Sequence, residues 1–291
     1  MKTKLTELAK ILLLAALISQ CSNTRAATTI DAANRYAYGA NLGWLNSVGD
    51  TNNGAVIGEY VCSGFLYSAN VGWISLGSGT PANQVQYQNN SAADFGVNQD
   101  GLGNLRGYAY GANIGWINFE NTGAPKVDLF TGKLSGSVWS ANCGWISLSN
   151  SVALVQTDAI QKGALAPNGL PIAWLLSCFG TTNVNASADA DGDGVANAAE
   201  YLAGTSPTNA ADYLHITQFS RGSNPLDPTY NVLVWTSQST RFYAVQTTTN
   251  LAATPFADYF TLPYPGFSSV GFNRLPDQEF YRVRAYRPLT P

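Results

Sequence analysis

A chain of 291 residues, 45% of them hydrophobic, is long enough for two modest domains or one large one, and either can bury a core. Only 11% of residues are charged and the formal net charge is −3, which argues against the basic surface that a nucleic-acid partner requires. Gly, Asn, Ser, Thr and aromatic residues are abundant, a mix suited to short strands and tight turns, so the expected class is mainly β.

In chain order the first element is an export signal, residues 1–26. Lys2, Lys4 and Lys10 give a positive start, Ile11 to Ile18 is unbroken apolar sequence, and Thr24-Arg25-Ala26 offers small residues for cleavage. The apolar stretch is too short to span a bilayer, and no later segment approaches the roughly 20 apolar residues a membrane helix needs. The expected mature chain is soluble and secreted or held in the cell envelope. A lipoprotein signal also places Cys after an apolar run, but Gln20 precedes Cys21 where that motif needs a small side chain, so lipid anchoring through Cys21 is not expected. Removal of residues 1–26 takes away Lys2, Lys4, Lys10, Arg25 and Glu7 and lowers the formal charge from −3 to −6, a sign that suits a cation.

Residues 27–152 carry one phrase four times: YGANLGWLNS from Tyr38, YSANVGWISL from Tyr67, YGANIGWINF from Tyr110 and WSANCGWISL from Trp139. Trp44, Trp73, Trp116 and Trp145 stand at intervals of 29, 43 and 29 residues, a duplication within a duplication. A shift of 72 lays Cys62 on Leu134, and Cys143 stands where the other copies have Leu42, Val71 and Ile114. Both cysteines therefore read as apolar substitutes with free thiols. With Cys178 the mature chain holds an odd number, so a disulfide stays open but no framework is legible.

Each phrase predicts a hairpin whose loop, such as Gly111 to Gly115, uses the left-handed conformations that Asn and Gly tolerate. With Tyr110 facing Trp116, the period of two puts Tyr108, Tyr110, Trp116 and Asn118 on one face, and Ala109, Ile117 and Phe119 on the other. Further strands are expected ahead of some hairpins, with turns at Gly101 and Gly132. A lone hairpin is marginal in water, and the rings bury the most area. The expected role of the aromatic face is therefore the core between stacked repeats. The alternative is an exposed platform, Trp44, Trp73, Trp116 and Trp145 binding sugar rings or another polymer, because each Trp shares its face with Asn or Ser. GYAYGANIGWINF from Gly107 resembles a repeat of exported bacterial surface proteins, in which a Gly-Tyr-Ala-Trp-like strand precedes a Gly-Trp-Ile-Asn/Ser-Phe-like strand. The resemblance covers residues 35–149 and implies a surface location more than an activity.

After a linker, residues 153–168, comes a connector, residues 169–212, built on DADGDGVANAAE from Asp189. Calcium is a hard cation that takes six to eight oxygens, and a twelve-residue loop supplies them from positions 1, 3, 5, 7, 9 and 12. Those positions are Asp189, Asp191, Asp193, the carbonyl of Val195, Asn197 and Glu200, with Gly194 at the sharp turn. A helix starting near Pro171 and a second from about Ala196 to Ala203, stopped by Gly204, are expected on either side. The segment resembles the single calcium loops of dockerins and thrombospondin type 3-like repeats. Phe179-Gly180, the loop and EYLAGTSP from Glu200 are similar to a module of secreted bacterial proteins. No second loop pairs with it and Ala196 holds position 8, which favours a structural EF-hand-like clip over a sensor.

Residues 213–291 return to alternating patterns in NVLVW, RFYAVQTT and EFYRVRAY, which predict an antiparallel β-sandwich. Its length is similar to that of Ig-like or fibronectin III-like modules. Arg282 and Arg284 read as a solvated strand face. His215 is the single histidine and has no nucleophile motif nearby; it reads as a strand residue. Asp94, Asp100, Glu120 and Asp128 lie among the repeats, with no spacing that singles out a glycosidase pair. No catalytic residue is assigned. The expectation is a secreted, calcium-binding, non-catalytic structural or adhesion protein of the bacterial surface, with a surface polysaccharide or another envelope protein as partner. A carbohydrate-binding module is the alternative and a secreted glycoside hydrolase the third reading.

Overall fold

The computed structural model describes residues 28–49, 52–221, 230–252, 255–273, 280–287 and 289–290; the expected export signal, with Cys21, lies outside them. The four phrases form four hairpins: β1 (Ile30–Gly39) with β2 (Gly43–Asn46), β3 (Phe65–Ser68) with β4 (Gly72–Ser75), β6 (Leu105–Gly111) with β7 (Gly115–Asn118), and β10 (Ser137–Ser140) with β11 (Gly144–Ser147). Between them lie β5 (Val97–Gln99), β8 (Lys126–Val127) and β9 (Leu134–Ser135), and β12 (Leu154–Thr157) follows. Tyr38, Tyr67, Tyr110 and Trp139 pair with Trp44, Trp73, Trp116 and Trp145 across the loops, as the alternation requires.

Successive hairpins join in one repeated register, Asn46 opposite Tyr67, Ser75 opposite Tyr110 and Asn118 opposite Trp139. Ser147 opposite Tyr38 joins the last hairpin to the first and closes an eight-stranded antiparallel barrel. Closure removes the exposed edges that an open stack of hairpins would leave.

The loop phrase has its own task at one end of the barrel. The amides of Asn41, Asn70, Asn113 and Asn142 donate to the carbonyls of Cys143 (3.2 Å), Leu42 (3.0 Å), Val71 (3.1 Å) and Ile114 (3.0 Å). Each loop thus holds the one before it, and the first holds the last. Gly72 has φ 78°, a left-handed backbone that glycine adopts without a Cβ penalty.

The aromatic face does not form the core. Ala37, Leu45, Leu66, Ile74, Ala109, Ile117, Val138 and Ile146 point inward and are buried, whereas the eight ring residues of the hairpins face outward and remain 36–48% exposed. Eight strands enclose only a narrow interior. Aliphatic chains fill it to within a void of about 30 Å3, which leaves no room for indoles. The rings instead pair on the outside, with centroids 5.2, 4.7, 4.9 and 5.1 Å apart in the four hairpins. Cys62 and Cys143 are buried, and all three described cysteines are free thiols.

The two helices of the connector are α1 (Ile172–Phe179) and α2 (Asn197–Ala203), each ended by a left-handed glycine, Gly180 and Gly204. Beyond them β13 (Ile216–Arg221), β14 (Tyr230–Trp235) and β17 (Ser269–Asn273) form one three-stranded sheet. A second comprises β15 (Phe242–Thr248), β16 (Ala257–Thr261) and β18 (Phe280–Tyr286). The sheets share a core of Leu233, Trp235, Tyr243, Val245, Leu262 and Phe272. Arg284 pairs with Asp258 (3.2 Å) on the exposed side of the second sheet. Among the described residues no helix is long and apolar enough to cross a membrane.

Candidate metal centre

The acidic loop is folded by its own carboxylates. Asp189 accepts from the N–H groups of Gly192 (2.7 Å) and Gly194 (2.8 Å), Asp191 from Asp193 (3.2 Å), and Asp193 from Val195 (2.7 Å). These bonds curl the chain so that ligand-type oxygens of Asp189, Asp191 and Asp193 lie within 4.8 Å of one another. Asn197 and Glu200 come from the first turn of α2 and are buried. The Asn197 amide donates to the carbonyl of Asn185 (2.9 Å), which fixes the side chain and leaves Oδ1 as its uncommitted atom.

Five oxygens in this loop are buried without any partner: Oδ2 of Asp191 and of Asp193, Oδ1 of Asn197, and both carboxylate oxygens of Glu200. An orphaned buried carboxylate is costly and rare. Burial first, then the charges of Asp191, Asp193, Asp189 and Asp212, push the Glu200 carboxyl up to about 7. The N–H bonds of Gly194 and Gly192 hold the exposed Asp189 below the usual range. Among the described residues no Lys or Arg forms an ion pair with any of these four carboxylates. The donor set is all oxygen, which fits a hard divalent cation.

The next residue ties this loop to the rest of the molecule. Tyr201 is buried, packs its ring against Trp174 of α1 (centroids 5.4 Å), and donates its hydroxyl to Glu59 of the barrel (2.8 Å). Arg287, beyond β18, hydrogen-bonds the other oxygen of Glu59 and sits over the Tyr201 ring. Arg241, beside β15, donates to the last-turn carbonyls of α2 at Leu202 (2.8 Å) and Tyr201 (3.2 Å). Burial, then the neighbouring Arg287, lower its pKa to about 10. Barrel, connector and C-terminal sheets thus meet at α2, one residue from the acidic loop. Elsewhere the Phe130 ring of the barrel stacks on Phe242 of β15.

All six residues singled out for the metal fall in this loop, and four of them carry the orphaned oxygens. Glu59, Tyr201, Arg241 and Arg287 gave no signal in the sequence, since Glu59 and Arg287 are 228 positions apart. Trp44, Trp73, Trp116 and Trp145 lie outward, one on each hairpin, and do not converge on one point. The carboxylates among the repeats accept main-chain N–H bonds. Asp94 accepts from Ala82 and Gln88, Asp100 from Leu102 and Asn104, Glu120 from Gly107, and Asp128 from Phe130 and Thr131. His215 lies just ahead of β13 and stacks on Tyr213.

Comparison with protein-family models, with curated proteins and with solved structures found no match.

Proposed function

We propose that this chain is an exported, calcium-clamped β protein of the bacterial surface or envelope, structural or adhesive rather than catalytic. The five buried, unpartnered oxygens of one loop carry the reading. Asp189, Asp191, Asp193, the Val195 carbonyl, Asn197 and Glu200 would hold the ion, whose charge offsets the carboxylates and whose bonds fix α2. Through Tyr201 and Arg241 that helix then braces the barrel against the C-terminal sheets. Engagement of the repeat carboxylates in main-chain hydrogen bonds supports the non-catalytic part of the reading. The export signal and the resemblance of the repeats support the location. By comparison with extracellular modules the affinity is on the order of 10⁻⁴ M. Calorimetric titration of the metal-stripped protein should show one calcium site and weaker binding of magnesium. Absence of heat together with an unchanged melting temperature would remove the proposal.

A second reading, recognition of carbohydrate by the barrel's outer face, is favoured by the exposure of its paired rings. Quenching of tryptophan fluorescence by acrylamide, with and without soluble glycans, tests it: protection by glycan is the expected result.

A further inference from the structure

The middle Trp interval exceeds its neighbours by 14 residues, and the reason lies in residues 76–96, between β4 and β5. This segment has no regular strand, yet it is built around buried polar groups. The Asp94 carboxylate accepts from the N–H groups of Ala82 (3.1 Å) and Gln88 (3.1 Å). The Tyr87 hydroxyl donates to the Cys62 carbonyl (3.1 Å) and accepts from the Gly79 N–H (2.5 Å). Asn98 of β5 bonds both the N–H and the carbonyl of Tyr87, each at 2.9 Å. Gly96 passes so close to the Tyr87 ring that a Cβ there would lie 2.2 Å from it. A long loop held this tightly is a construction that connecting two strands does not require.

The loop delivers Phe95 to the outer surface of the barrel, edge-on to Trp116 at 5.1 Å. Phe95 divides two concavities. One, of about 540 Å3, runs between Phe95 and Phe65 over Asn53, Ser63, Ser75 and Ser78. The other, of about 360 Å3, lies between Phe95 and Trp116, beside Asn90, Ser91 and Tyr108. Both have the dimensions of ligand clefts, and among the described residues no charged side chain lines either.

This lining selects a chemistry. Among the described residues the groove has no cation or carboxylate to neutralise a phosphate, an acidic polymer or a basic peptide. The bordering strands are already paired on both sides, so it offers no open edge for an extended peptide. A pyranose ring presents an apolar C–H face, which stacks on an aromatic ring, and a rim of hydroxyls, which pair with amides, serines and main chain. We propose that the groove flanked by Phe65 and Phe95 binds a segment of a neutral polysaccharide. The proposal rests on the carbohydrate reading and narrows it to a single site, because the other hairpin junctions lack the inserted loop.

The test uses the full mature chain in calcium. Retardation in native gels containing soluble neutral polysaccharides (glucans, mannans, xylans) identifies a binder, and calorimetry gives its affinity. Phe95→Ala should weaken binding roughly tenfold or more, as expected for loss of one stacking ring. Ser78→Arg, which obstructs the groove from its exposed rim, should do the same with melting unchanged. Trp44→Ala, on a hairpin without the loop, should bind as the parent does. Equal losses in Trp44→Ala and Phe95→Ala would overturn the groove while leaving recognition by the ring belt intact. Failure of the parent to bind any neutral polysaccharide, or binding of acidic polymers alone, would overturn both.

Discussion

Glu200 concentrates the chemistry of the connector, because it is buried among acids with neither carboxylate oxygen paired. Its pKa of about 7 without metal lies above the ordinary 4.5. The metal-free folded state therefore keeps a proton that the unfolded chain gives up, and the associated stability is full below pH 4.5 and lost as pH rises through 7. A calcium ion held as proposed would displace that proton. The rise in melting temperature on adding calcium should accordingly be small at pH 5 and larger at pH 8; an increment equal at both would show that Glu200 is not a ligand. Replacing both Asp191 and Asp193 by Asn acts through the same electrostatics. In the chelated state the double variant should melt at or above the parent, since repulsion is relieved. In about 10 mM calcium it should lose most of a stabilisation of about 2.7 kcal/mol, the linkage value for a ligand at a hundred times its Kd. Differential scanning calorimetry reads both.

Among elements, the hairpin phrase explains its own recurrence. Each asparagine of the loops bonds across to a neighbouring loop, so the motif is the joint of a ring as well as a turn. Asn113→Ala should leave the Val71 carbonyl without this donor and cost about 1 kcal/mol in urea unfolding. Gly72→Ala should cost about 1–2 kcal/mol, because φ is 78° there. The aromatic pairs add about 0.5–1.5 kcal/mol each and still leave the rings 36–48% exposed. Alternation in the sequence correctly separated Tyr110 and Trp116 from Ala109 and Ile117. It carried no information on which face turns inward, because that depends on the width of the closed barrel.

On the scale of the whole molecule, α2 is a shared strut, with the buried Asn197 and Glu200 in its first turn and Arg241 on its last carbonyls. Tyr201→Phe removes one bond to the buried Glu59 but leaves Arg287 in place, and should cost about 1–2 kcal/mol. Glu59→Leu strands Arg287 and should cost about 3 kcal/mol or more. If the clamp acts as proposed, chelation of calcium should speed proteolysis within residues 153–212 in the parent. Cleavage rates that ignore calcium would separate the metal site from the joint.

The fold of the acidic loop was readable as sequence because its contacts are local: twelve consecutive residues fix their own geometry through Asx bonds and glycines. The hairpins and both helices were readable for the same reason, since period, turn residues and caps act over a few positions. Closure of the barrel, the outward turn of its rings, the groove made by residues 76–96 and the Glu59–Tyr201–Arg287 joint were decided only in three dimensions. Each depends on partners tens to hundreds of residues apart and on the volume available inside a closed sheet, and neither quantity is written in any local stretch of the chain.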